Sequence, residues 1–277
     1  MDSHPLTLPD DWASYHDHTS LAQLRAAADR PCVIDCYLRA GGTNGPGNIF
    51  ELGCGSSEVL ARAAALGWRV GGIDFNAAAL AEMREFGSDF VEGDALTFDP
   101  TPRAARYDLV VSFGFIEHFR EPTALIRRWL TLLKPEGRMI TSVPNLHCLN
   151  AWTLRTLQRP FWEKHVVHTP QSLDQVHVAG GARVIVPAQL CGRYDIHWLT
   201  PWDVIQRKLP RPLFLGLKLT GLLCLQMPLS QLPHGTRLAS TRITGVYARG
   251  SSSSVDPDHL GLGEVLDGDV AMFSPEA

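Results

Sequence analysis

The stretch NIFELGCGSSEV, residues 48–59, constrains this 277-residue chain more than any other. A short apolar run (Ile49, Phe50, Leu52) ends in Gly53-Cys54-Gly55, and a helical segment opens at Ser56 or Ser57. A strand that breaks through glycines into a helix N-terminus lets the backbone approach a nucleotide-like ligand and adopt conformations that a side chain forbids. A dinucleotide site would carry a third glycine at position 58. Glu58 stands there instead. An acid at the helix start repels a pyrophosphate but is compatible with a ligand that carries an amino group and no phosphate. Asp74 follows Gly53 by 21 residues, the separation at which a βαβ unit returns an acid beside the glycine turn, where it can accept from two vicinal ribose hydroxyls.

Four further segments extend the pattern, in order: Arg69–Asp74, Val91–Ala95, Tyr107–Phe119 and Leu133–Gly137. Together with Glu51-Leu52-Gly53-Cys54-Gly55, which looks like an E-x-G-x-G motif, they resemble the class I S-adenosylmethionine-dependent methyltransferases of small-molecule type. The resemblance is close over roughly 49–145 and looser to about 250. Leu133-Lys134-Pro135-Glu136-Gly137 is similar to the family's LKPGG turn, with Glu136 in place of the first glycine. The resemblance implies an α/β fold, a doubly wound, mostly parallel seven-stranded Rossmann-like sheet, with S-adenosyl-L-methionine as cofactor. It also implies a cofactor site at Glu51, Gly53, Cys54, Gly55, Asp74, Phe75, Asp94, Ala95, Ser112 and Phe113. Asp74 would take the ribose hydroxyls and Asp94 the adenine amine. Glu51 would position loop amides or reach the ligand's ammonium through water.

Around that core the chain divides into a cap segment (1–47, with helical candidates at 20–28 and 32–39), the core (48–190), an insertion (191–240), a last strand (241–249) and a tail (250–277). The tail holds a run of four serines and six acids without lysine or arginine, a composition expected to be disordered. The insertion carries a formal charge of +4, and its centre, PLFLGLKLTGLLCLQMPL at 212–229, is strongly apolar. A membrane-spanning helix needs about 20 apolar residues. This run is interrupted by Lys218 and closes with Pro228, so it is expected to pack as a helical lid over a greasy acceptor rather than insert stably in a membrane. A surface for a hydrophobic acceptor or a membrane interface is the other reading. Net charge of −4 argues against a general nucleic-acid binder. Six scattered cysteines and an N-terminus with neither a basic region nor an apolar run are expected of a cytoplasmic protein with free thiols. Oligomeric state is open.

Methyl transfer is an in-line displacement at a sulfonium carbon, so the protein must align the acceptor, exclude water and sometimes remove a proton. His118, just past the fourth strand, is the expected general base, because an ordinary imidazole titrates near neutrality. An E-H pair at this place also serves structural or cofactor-contacting roles in the resembled family. Tyr15, His165 and His168 are expected to border the acceptor. No Cys-x₂-Cys or H-E-x-x-H set occurs, and no metal is expected. The expected activity is methylation at oxygen, nitrogen or carbon of a small molecule, such as a hydrophobic or aromatic intermediate of secondary metabolism. Methylation of RNA or protein, or cofactor binding without catalysis, are the alternatives. The segment Ser112-Phe113-Gly114-Phe115 lacks the N/D-P-P-Y/F box of enzymes that methylate nucleic-acid amino groups.

Overall fold

A computed structural model describes residues 19–30, 32, 34–35, 45–232 and 235–250. Its centre is one seven-stranded sheet: β1 (Asn48–Leu52), β2 (Arg69–Asp74), β3 (Asp89–Glu92), β4 (Tyr107–Phe113), β5 (Leu133–Pro144), β6 (Ala182–Cys191) and β7 (Arg242–Arg249). The spatial order is β3-β2-β1-β4-β5-β7-β6. The first five strands pair in parallel, and β7 runs antiparallel to both β5 and β6. The expected fold class holds, with one antiparallel hairpin at the β6 edge.

Strand alternation builds two cores from one sheet. Ile49, Leu109 and Val111 point to one face, where Leu60 and Ala61 of the helix Glu58–Ala65 and Leu80 and Met83 of the helix Ala77–Met83 cover them. Phe50 and Val110 point to the other, under Ile126 and Trp129 of the helix Thr123–Leu130 and Leu173 of the helix Pro170–Ala179. Burial on both faces is why these strands read as near-continuous apolar runs.

The helix Leu21–Ala28, capped by Ser20, packs Leu24 into the first core, which accounts for part of the expected N-terminal cap. Tyr15, most of the second helical candidate (32–39) and the tail 251–277 lie outside the described residues.

The insertion departs from expectation. It is helical as expected, with Trp202–Lys208 followed by a continuous helical run, Arg211–Leu229, that contains one π turn. That run is not packed as a lid on the domain. Leu213, Leu215, Leu217, Leu219, Leu222 and Leu223 are all exposed, and Phe214 and Gly221 are its buried residues. At 19 residues it is long and apolar enough to cross a membrane by length and composition. The apolar periodicity runs all the way round the helix, so the small domain surface beneath it can cover only one stripe.

Candidate active site

The parallel strands end along one edge, where ligands bind in doubly wound sheets. At the end of β1 the chain turns through Gly53 (φ 65°) and Gly55 (φ 46°). A Cβ at Gly53 would collide with the ring of Phe115, so glycine is required there both by conformation and by space. The turn is held on β2 by the Cys54 N–H donating to the Ile73 carbonyl (3.1 Å) and the Gly55 N–H donating to Asp74 Oδ2 (2.8 Å). Ser57 caps the following helix by accepting from the Leu60 N–H, and its hydroxyl donates to Glu51 Oε2 at 2.5 Å. Burial, with Asp74 adding to it, pushes Glu51 up to about 8. Glu51 thus fixes the helix start through Ser57.

Asp74 is buried, and its other oxygen accepts from the Asn76 N–H. Each carboxylate oxygen retains a second lone pair for ribose hydroxyls. The Gly93 N–H donates to the Asp74 carbonyl, which ties the β3 end to the β2 end, and Asp94 Oδ1 accepts from the Leu96 N–H. A Cβ at Gly93 would meet nothing within 4 Å, so the edge is open between the two acids. Phe75 is half-buried beside them and Ala95 buried. Ser112 is buried without a hydrogen-bond partner for Oγ among the described residues, and Phe113 is half-buried against the first core. Positive-φ glycines, an open edge and an orphaned hydroxyl fit S-adenosylmethionine.

Past β4 the structure gathers groups that are far apart in sequence. Lys164–Val166 lies along Glu117–His118: the Val166 N–H donates to the Glu117 carbonyl (2.6 Å), and His118 Nδ1–H donates to the Lys164 carbonyl (2.9 Å). His165 Nδ1–H donates to the Phe161 carbonyl (2.9 Å), and the two imidazoles meet edge to face at 4.6 Å. Carbonyls only accept, so each ring donates from Nδ1 in these bonds, and His118 is also hydrogen-bonded to the Gly114 backbone. His118 Nε2 lies 3.9 Å from Glu117 Oε1. Burial, and then His165, pull His118 down to about 3, while burial pushes Glu117 up to about 8.

His118 is therefore where expected but differs from the expected near-neutral base, because both its ring and its neighbours are withdrawn from water. His165 joins it. His168 does not: it is buried just before the helix Pro170–Ala179, with Ser172 Oγ at 3.4 Å, and lies near His177 in the interior. Arg242 was not anticipated, and Glu117 entered only as half of an E-H pair with structural or cofactor-contacting roles. The Glu117-His118 pair was visible as a dipeptide. Arg242, buried at the start of β7 and 4.4 Å over the Trp198 ring, gave no local signal, since only the sheet brings it near Glu117.

A protein-family profile described as Methyltransferase domain matches residues 14–185. The chain belongs to the methyltransferase-domain family. It carries the fold of S-adenosylmethionine-dependent methyltransferases, and S-adenosylmethionine is its cofactor. Among curated proteins it is 27% identical over 176 residues to the ubiquinone biosynthesis O-methyltransferase of Sodalis glossinidius, covering 60% of this chain and 65% of that one. It is 31% identical over 120 residues to the protein of the same name from Paraburkholderia phytofirmans, covering 40% and 49%. The chain thus spans from about half to just under two thirds of the length of these relatives. Among solved structures, a S-adenosylmethionine-dependent methyltransferase from Archaeoglobus fulgidus shares the fold at TM-score 0.52 and 17% identity, over 82% of this chain and 94% of that one. The phosphoethanolamine N-methyltransferase 2 of Haemonchus contortus, solved with S-adenosyl-L-methionine, does so at 0.53 and 12%, over 88% and 60%.

Proposed function

We propose that the protein transfers the methyl group of S-adenosylmethionine to a hydroxyl of a small, largely apolar acceptor. The observation that carries this reading is the Glu117–His118–His165 group past β4, the first two buried and His165 half-buried, with each ring oriented by a backbone carbonyl. An amine with a free lone pair needs only alignment, whereas a hydroxyl must also lose a proton to become a good nucleophile. Curated relatives named as O-methyltransferases of ubiquinone biosynthesis support oxygen as the site and an aromatic acceptor.

Gly53–Gly55, Asp74 and Asp94, with Phe75, Ala95, Ser112 and Phe113 around them, are proposed to hold the cofactor, whose sulfonium supplies the electrophilic methyl. Glu51 is proposed to act on the helix start through Ser57. His118 is proposed to act on the acceptor hydroxyl in concert with Glu117 and His165. The insertion (191–240) and the cap segment with Tyr15 are proposed to shape the acceptor side. The five described cysteines are free thiols, which fits the cytoplasm as the proposed compartment.

The test is a panel of hydroxylated benzoates and phenols, with and without an isoprenoid tail, assayed for methyl ether by mass spectrometry. Methyl ethers on ring hydroxyls are expected. Methylation of amines, RNA or protein with none on hydroxyls would overturn the reading.

A further inference from the structure

We propose that the helical run Arg211–Leu229 docks in plane on a membrane surface that carries anionic lipid. The run is 19 residues long, apolar and almost wholly exposed. Phe214, Lys218 and Gly221, at positions i, i+4 and i+7 of one helix face, form its inner stripe. Every other residue from 212 to 223 is exposed and uncharged. A contiguous apolar surface of this kind marks an interaction site.

Three observations select a bilayer over a second copy of the chain. The first is breadth: a pair of helices covers a narrow seam, whereas lipid can cover the whole outer arc. The second is the way the run is held. Phe214 packs edge-on against Trp202 at 6.0 Å between ring centroids, and a Cβ at Gly221 would collide with Ile196. Gln226 accepts from the Ile196 N–H at 2.7 Å and donates to the Tyr194 carbonyl at 3.0 Å. Fixed to the domain at points along its length, the helix can lie on an interface but cannot cross it. The third is charge. The chain as a whole carries −4, yet residues 203–218 hold Arg207, Lys208, Arg211 and Lys218 against Asp203, which pairs with Arg207 at 2.7 Å. A cationic segment beside an apolar arc is the pattern of interfacial helices and complements anionic headgroups. In a symmetric pair the same segment would face its own like charge.

The insertion is tied to the acceptor side of the sheet. Asn150, on the helix Leu149–Leu157 that follows β5, donates to the Asp195 and Trp198 carbonyls. An apolar acceptor dissolved in lipid would meet the chain on that side. Docking itself stands apart from the identity of the acceptor.

The test is flotation of the full chain with vesicles of phosphatidylcholine alone and of equimolar phosphatidylcholine and phosphatidylglycerol, titrated in vesicle concentration. Its mass in solution is measured in parallel by light scattering. Co-flotation with the anionic vesicles is expected, at least about tenfold tighter than with the neutral ones. Replacing Leu215, Leu219 and Leu223 by glutamine is expected to abolish it, since binding scales with buried apolar area. Lys208→Gln/Arg211→Gln is expected to lower the affinity for anionic vesicles toward that for neutral ones. Retained S-adenosylhomocysteine binding shows that each variant is folded. No flotation with anionic vesicles, equal affinity for both kinds, or unchanged flotation of the leucine variant would overturn the proposal. So would a dimer that the leucine changes dissociate and that does not float.

Discussion

Asp74 does two jobs whose effects can be separated. Its carboxylate holds the glycine turn through the Gly55 N–H and is proposed to accept the ribose hydroxyls. Asp74→Ala should therefore weaken S-adenosylmethionine binding by about 1.5–3 kcal/mol, the worth of hydrogen bonds to a charged group. Calorimetry showing an unchanged dissociation constant would remove Asp74 from the site. His118 is proposed to act on the other substrate. His118→Ala should lower turnover by roughly 10²–10⁴-fold with little change in cofactor affinity. Because burial holds its pKa near 3, the rate–pH profile should show no rising limb centred at 6.5. Such a limb would mean that the ring titrates as an exposed histidine. At this scale the role proposed for Asp94 came from the resemblance alone, whereas the glycine turn and the return of Asp74 beside it were legible, because both follow from spacing along one βαβ unit. The surroundings of His118 were not, since Lys164 and His165 are 46 and 47 positions away and meet it only in the fold.

The helix Glu58–Ala65 shows how an element transmits a buried acid's influence. Its first turn is capped by Ser57, which Glu51 fixes from the strand before it. Ser57→Ala should cost about 1 kcal/mol of stability, as a lost N-cap does, and it should also leave the Glu51 carboxyl buried without that donor. Chemical denaturation compared with Glu51→Gln/Ser57→Ala would show the coupling: additive losses would mean that the two side chains act independently. The helical run Arg211–Leu229 makes the opposite case. Its composition was read as a lid, since apolar side chains usually find cover, but the direction a helix faces is set by tertiary contacts that no local pattern encodes. Replacing Leu213, Leu215, Leu219 and Leu223 by lysine should leave the melting temperature within a few degrees, because these side chains are already in solvent. Binding of a hydrophobic dye should fall in the same variant. A large loss of stability would mean that this face is covered in the folded protein.

For the whole molecule, buried titratable groups give stability a definite pH dependence. Glu51 and Glu117 rise from 4.5 to about 8 on folding. They bind more protons folded than unfolded between those values, so their contribution is lost as pH rises through that window. His118, His168 and His177 fall from 6.5 to about 3, 4 and 4. They bind fewer protons when folded, so their contribution is lost as pH falls below 6.5. The two trends cross, and the protein should be most stable near pH 6.5. Melting curves from pH 5 to 9 would check this, and Glu117→Gln should flatten the alkaline decline. A maximum above pH 8 would contradict it. The sheet order has a consequence for synthesis. β6 is an edge strand paired to β7 alone, and Ser142 meets Thr244 across 102 residues of chain. While the polypeptide leaves the ribosome, five parallel strands can assemble, but β5 and β6 must wait with unsatisfied backbone until Arg242–Arg249 emerges. That interval, in which an open sheet border is offered to any passing strand, is when the nascent chain depends most on chaperones to prevent aggregation.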